Sequence, residues 1–511
     1  MKRAGVAIAF VLVGAACMPR GKPSSGKAEP PQLDVQEEWV DPIATLPKGA
    51  PRAQGWRKTA LVDPAAPTIA IRGATILTAT GQTITGGTIV LADGAITAVG
   101  PDASVTIPSD ARVVDGKGKV VSPGLIDTHS HIGVYAAPDA VAHSDGNESS
   151  APVTAQARAQ YGYWPQDPQI ARAAAGGVTA ALILPGSANL IGGEGFIVTM
   201  RQGRTSDEVA FPGAPSTMKM ACGENPKRVY GEKGGPKTRM GSYAAFRAAF
   251  NEARGYLAKA ESYQRARDLW VRKKQRATEL DAKVQPGKPK VKPEPAPEPP
   301  VVDAKLEALA QILRGDTLVQ IHCYKASDMA ELLAIADEFG FKIRSFHHAL
   351  EAYKIRDLLV ERGIAINTWS DWWGFKLEAF DGITENAALF TQQGGKATIH
   401  SDSPIAIQRL NQDAAKAMAA GRAAGIPITE EQALRWITSN AAWVLGIDDV
   451  TGTLEVGKRA DVVMWSGSPF SVYTRAELVI AGGQVSFERA TGLSPSDFEL
   501  GQSAVDVGSA R

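Results

Sequence analysis

The chain has 511 residues, 44% of them apolar, enough for one large domain and a smaller companion. Its 55 basic and 54 acidic residues nearly cancel, so net charge gives no reason to expect a nucleic-acid partner. Three cysteines (Cys17, Cys222 and Cys323) are too few for a disulfide scaffold and form no CxxC pair, and no internal run approaches the roughly 18 apolar residues of a membrane span.

Lys2 and Arg3 precede an apolar run over residues 4–16, which ends in Gly14-Ala15-Ala16-Cys17. A charged start, a short apolar core and then small residues form the pattern of a secretory signal. The segment resembles a bacterial lipoprotein signal, which implies an exported protein of the cell envelope, tethered to the membrane through a lipid on Cys17. Gly14 departs from that pattern, which favours Leu there, so periplasmic release without lipid is the alternative. Residues 18–67 are polar and rich in Pro, Gly and Lys, as suits a flexible tether.

Residues 68–122 read as short strands with Gly-rich turns such as Asp93-Gly94, and residues 450–490 show the same style in GTLEVGKRADVVMWSG and ELVIAGGQVSFE. Between them lie eight strand candidates: 125–129, 178–184, 196–200, 216–220, 317–322, 342–347, 364–369 and 397–400. Most are followed by helical text, which argues for a parallel α/β architecture over 123–449. Ser327 or Asp328 is placed to cap a helix after the fifth, and Thr429 with Gln432 forms a capping-box pattern late in the chain.

An insertion over 243–300 breaks this rhythm. Apolar residues recur at helical spacing from Tyr243 to about Leu280, and the other face carries Arg265, Arg267, Arg272, Lys273, Lys274 and Arg276. That face reads as solvated, with anionic lipid or substrate as the alternative contact. Residues 285–300 contain seven prolines with interspersed Lys and Glu. Proline fixes φ and removes a donor, so a stiff exposed linker is expected there. Residues 491–511 are left as a tail.

The chemistry gathers at strand ends. In the stretch SPGLIDTHSHIG, His129 and His131 stand two apart on an extended segment, so both project to one face and are placed to take a metal ion between them. His322 ends TLVQIHCY, His347 and His348 end KIRSFHHAL, and His400 precedes Asp402 in ATIHSDS. His143 lies in a polar loop with no ligand spacing. Lys219 is the one charge in the apolar run STMKMAC, which is hard to explain as surface.

PGLID followed by HxH, with the segments PGSANLIGG, KMACGENPKRVYG, HALEAYK and SDWW, resembles the amidohydrolase superfamily, in particular its imidazolonepropionase-like and metal-dependent dipeptidase-like branch. The resemblance covers residues 68–488. It implies a (β/α)8 TIM barrel with metals at the C-terminal strand ends, and a small discontinuous β-sandwich built from 68–122 and 450–490. It also implies a ligand set of His129, His131, Lys219, His322, His348 and Asp402, with His347 as the alternative to His348. Lys219 would be carboxylated, an anionic group able to bridge two divalent metals, zinc foremost, about 3.5–4 Å apart. Glu224 is the rival bridging ligand and Glu194 a weaker one.

The implied activity is hydrolysis of an amide-like C–N bond in a small substrate such as an N-acyl amino acid, a dipeptide or a cyclic amide, with Asp402 as proton shuttle. Arg228, Arg239, Trp372 and Trp373 are candidates to recognise a carboxylate or a ring, or are ordinary structural residues. A mononuclear imidazolonepropionase- or deaminase-like hydrolase is the alternative within the class, and a catalytically silent envelope binding protein the alternative outside it. A homo-oligomer is compatible with all three.

Overall fold

The computed structural model describes residues 66–493, except 138, 284, 287–293 and 373. The expected signal, the lipidated Cys17, nearly all of the tether, Trp373 and nearly all of the tail lie outside the described residues.

The two chain ends share one eight-stranded sheet. Its order is Gln484–Glu488, Ala476–Ala481, Val462–Trp465, Val120–Pro123, Ile69–Leu77, Thr83–Ala92 and Ala95–Pro101, with Arg112–Asp115 also paired to Ile69–Leu77. The ends meet where Val462–Trp465 runs antiparallel to Val120–Pro123, with Val462 opposite Pro123. Asp93-Gly94 makes the two-residue turn between paired strands, both residues at positive φ (51° and 70°) as such a hairpin requires. Ile69, Ile71, Ile89, Val462 and Ile480 bury a common apolar cluster.

Past Pro123 the apolar runs become parallel strands. Leu125–Ser130 pairs with Val178–Ile183. A second parallel series runs Thr217–Ala221, Leu318–Cys323, Ile343–His348, Ala365–Thr368 and Ala397–Ile399. Every residue of these strands is buried, which is why they read as near-continuous apolar runs. Helices Ala326–Phe339, Asn386–Gln392 and Leu410–Ala423 lie among the connections.

The third expected strand departs from this pattern. Phe196–Thr199 is extended but antiparallel to Val178–Ile183, and Ile191–Glu194 just before it is antiparallel to Thr217–Ala221. Gly195 joins the two segments where a Cβ would stand 2.5 Å from Thr217 Oγ1.

Local signals fared unevenly. The Thr429–Gln432 capping box forms as expected. Neither Ser327 nor Asp328 caps its helix, which begins at Ala326 with Lys325 as N-cap. The Glu351 carboxylate, paired to Lys325, instead accepts the Ala326 N–H at 3.0 Å. The inserted helix runs Arg239–Asp281, about 65 Å at 1.5 Å per residue. Only its first third is buried, where Phe250 packs on Phe339 and Phe341. The six basic residues beyond are exposed. The proline stretch touches this helix at Glu294, whose carbonyl accepts the Trp270 indole N–H at 2.8 Å. No helix among the described residues is long and apolar enough to cross a membrane.

One feature escaped the cysteine count: Cys222 and Cys323 form a disulfide. Ala221 is opposite His322 in the parallel pairing, so the next positions on the two strands are bonded together. The bond closes a sequence separation of 101 residues, for which a cost of about 2–5 kcal/mol on removal is expected. Chemical denaturation of the Cys222→Ser/Cys323→Ser variant should register that loss, and added reductant should lower the wild-type transition but not the variant's. A wild type indifferent to reductant under conditions that demonstrably cleave the bond would refute the estimate.

Candidate metal centre

An apolar strand can deliver a polar side chain to its last position without disturbing the core below. This sequence does so repeatedly. His129, His322, His347 and His348 lie in the last positions of their strands, His400 directly after Ala397–Ile399, and Lys219 in mid-strand, all 2% exposed or less. Asp402 follows His400 by two residues, and its backbone N–H donates to the His129 carbonyl at 2.9 Å. That bond ties the last parallel strand's end to the first.

His131 Nε2 lies 3.0 Å from Asp402 Oδ1, and His129 Nε2 lies 3.4 Å from the same oxygen. The Leu184 carbonyl, 2.9 Å from His131 Nδ1, can only accept, so Nδ1 donates to it and the ring is oriented with Nε2 toward Asp402. Lys219 Nζ is 3.1 Å from His129 Nε2 and donates to the Pro185 carbonyl at 2.9 Å. His348 packs against His322 (ring centroids 4.3 Å), His129 (5.0 Å) and His400 (5.0 Å). Ligand atoms of His129, His348 and His400 converge within 4.8 Å of one another, as do those of His129, His131 and Asp402. His348 and Asp402 both adopt positive φ, 67° and 51°, a strained conformation that tends to cluster at functional sites.

The two neighbouring histidines differ in their surroundings. Nδ1 of His347 faces His129 Nδ1 at 3.1 Å, and its Nε2 meets Gln320 Oε1 at 2.9 Å and Ser345 Oγ at 3.1 Å. By contrast, Nδ1 of His348 and both ring nitrogens of His322 and His400 are buried with no hydrogen-bond partner. Each such group left unmade costs about 1–3 kcal/mol. A set of buried, unsatisfied imidazole nitrogens beside a carboxylate suits a divalent cation.

Electrostatics point the same way. Burial, reinforced by Lys219 and the other rings, holds His129, His322, His347 and His348 well below the usual histidine range, and His400 is held down to about 3. All are neutral, the form that binds metal. Burial lowers Lys219 to about 7. Burial works against ionised Asp402, but its hydrogen bond with His131, the foremost opposing cause, keeps it below the usual carboxylate range.

The other candidates have different partners. Glu224 pairs with Lys376 at 3.2 Å, and Glu194 with Arg158 at 3.3 Å. Arg239 is 3.3 Å from buried Asp328, while Arg228 is exposed. Trp372 joins the aromatic cluster beside the histidines. His143 stacks on Trp164. Two residues of the centre had been given no role. His400 was signalled only by its place at the end of the last strand. Asp127, raised to about 7 by burial, accepts the backbone N–H groups of His129 and Ser401 and so braces the centre from below.

Parallel strands that present buried imidazoles, an amine and a carboxylate at their C-terminal ends define an α/β enzyme with a polar centre built for a cation. The chain belongs to the amidohydrolase family, whose profile it matches over residues 120–488. It is 34% identical over 403 residues to the amidohydrolase tasK of Hapsidospora irregularis, covering 76% of this chain but only 38% of that protein. It also resembles the crystal structure of an amidohydrolase from Thermotoga maritima MSB8, at 34% identity and a TM-score of 0.69, covering 82% of this chain and all of that one. A shorter match, 45% over 58 residues, is to the imidazolonepropionase of Geobacillus kaustophilus, spanning 10% of this chain and 13% of that enzyme.

Proposed function

We propose that this protein is a metal-dependent amidohydrolase that cleaves an amide-like C–N bond in a small substrate: an N-acyl amino acid, a dipeptide or a cyclic amide. The observation that carries this is one buried cluster in which His129 and His131 meet Asp402, His129 meets Lys219, and His348 and His400, with unsatisfied ring nitrogens, meet His129. His129, His131, His322, His348 and Asp402 would hold two divalent ions, zinc foremost, with carboxylated Lys219 between them. Bound there, such ions polarise a carbonyl and acidify water. Asp402 is held ionised beside His131 and takes a proton from the attacking water, then returns it to the leaving nitrogen. Lys219, lowered to about 7 by burial, offers the neutral amine that adds to carbon dioxide: the nitrogen bonds the carbon, gives up a proton, and becomes an anionic two-oxygen donor.

In this reading the seven parallel strands, with the antiparallel segments of 191–199 in the third place, form a distorted (β/α)8 barrel over 123–449, and the end sheet is the small β-sandwich of 68–122 and 450–490. We further propose export to the cell envelope, with Cys17 as lipid anchor. The Cys222–Cys323 bond supports export, since disulfides persist mainly in oxidising compartments.

One alternative has a specific observation behind it. His129, His348 and His400 make a three-imidazole set by themselves, which fits a single ion in an imidazolonepropionase-like enzyme. Metal content per chain, measured together with a hydrolysis screen of N-acyl amino acids and dipeptides, tests the proposal. About two metals per chain and chelator-sensitive turnover are expected. One metal selects the mononuclear enzyme, and metal-loaded protein inert across the panel would leave the silent binding protein.

A further inference from the structure

The loop that follows Ala365–Thr368 holds rings that the hydrolytic chemistry does not use. Trp369, 5% exposed, stacks on His348 with centroids 4.3 Å apart and planes at 22°. Tyr324, at the end of the neighbouring strand's run, stacks on the same imidazole at 5.1 Å and 18°. Trp372 stacks in turn on Trp369 at 5.2 Å and 23°, and Phe375 stands edgewise to Trp372, Trp369 and Tyr324 at 6.1–6.4 Å. Aromatic surface therefore runs unbroken from a candidate metal ligand to solvent. Its inner rings are buried, whereas Trp372 is 42% and Phe375 55% exposed.

This wall is pinned. Lys376 lies 4.1 Å over the Tyr324 ring, 3.2 Å from Glu224 and 3.2 Å from Asn225 Oδ1. Buried Glu378 accepts the Glu224 N–H at 3.2 Å. Gly223 makes room for it, because a Cβ there would fall 2.2 Å from Glu378 Oε1. Lys376 and Glu378 thus have fixed partners, and two large rings stand partly in water beside the centre. Exposed apolar area of this kind, continuous with a site, fits a planar apolar partner.

Resting on the hydrolase reading above, we infer that Trp372 and Phe375 form a specificity subsite for an uncharged aromatic group of the substrate, stacked on Trp372 with Phe375 at its edge. Edge-to-face and offset stacks of this type are worth about a three- to tenfold preference per ring.

The test uses metal-loaded full chain and two pairs of probes that exchange a methyl side chain for benzyl, adding one phenyl ring: N-acetylalanine with N-acetylphenylalanine, and alanylalanine with alanylphenylalanine. In at least one pair, kcat/KM and calorimetric affinity should favour phenyl by about tenfold. Trp372→Ala and Phe375→Ala should each erode that ratio about three- to tenfold with metal content unchanged. Trp372→Phe should keep most of it. Turnover without a phenyl preference, equal losses on both members of a pair, or no binding of any probe would overturn the subsite. Phenyl-selective binding that the variants lose, without turnover of any probe, would keep the subsite and sink the hydrolase reading instead.

Discussion

Lys219→Ala is expected to lose at least one metal per chain and to lower kcat/KM by about a thousandfold or more, on the scale of losing an electrostatic catalytic group. Among the described residues Lys219 is the most deeply buried Lys or Arg side chain, 1% exposed, with its amine between His129 Nε2 and the Pro185 carbonyl. If its role is to carry carbamate oxygens, Lys219→Met, which restores bulk without the amine, should be as deficient as Lys219→Ala. Acetate or another small carboxylate should restore part of both metal and turnover in Lys219→Ala by supplying the missing oxygens. Glu224→Gln should leave metal content unchanged, since Glu224 is engaged by Lys376. If instead Lys219→Ala keeps two metals while Glu224→Gln sheds one, Glu224 is the bridge. Normal metal and turnover in both variants would leave only the mononuclear centre.

Asp402→Asn should separate ligation from proton transfer. Asparagine keeps the shape of the side chain and, like aspartate, tolerates the left-handed backbone that position 402 adopts at φ 51°. The expected variant retains most of its metal and its KM, while kcat falls about 10²–10⁴-fold, the range of general acid–base catalysis. Elemental analysis beside steady-state kinetics reads both quantities on one preparation. Turnover within a few-fold of wild type would remove Asp402 from its role as proton shuttle.

Much of the centre was legible because apolar strands announce themselves and each interrupting polar residue stands out against them. His129, His131, Lys219 and His322 are visible in this way. What sequence period does not carry is direction and pairing. The antiparallel course of Phe196–Thr199 depends on its pairing with Val178–Ile183, and the Cys222–Cys323 bond on the register of two strands. The contrast between His347 and His348 is of the same kind. Both rings reach His129, but the engagement of His347 by Gln320 and Ser345 is set by the tertiary pairing, and the positive φ of His348 leaves no trace in composition. Glu224 and Arg239 were ambiguous because a charged residue's partner lies far along the chain, at Lys376 and Asp328 respectively.

The shared end sheet has a consequence for biosynthesis. Trp465 donates its indole N–H to Ser122 across 343 positions, and the Gly124 N–H is satisfied by Asp461. The segment that launches the His129 strand therefore has only one of its two sheet neighbours, Ile69–Leu77, until residues near 460 have been made. A nascent chain can order local helices as it lengthens, but the first donors translated are among the last to be secured, as long-range pairings usually are. Emergence of the residues near 460, rather than of the histidines themselves, sets the earliest moment at which the candidate centre can take its mature geometry.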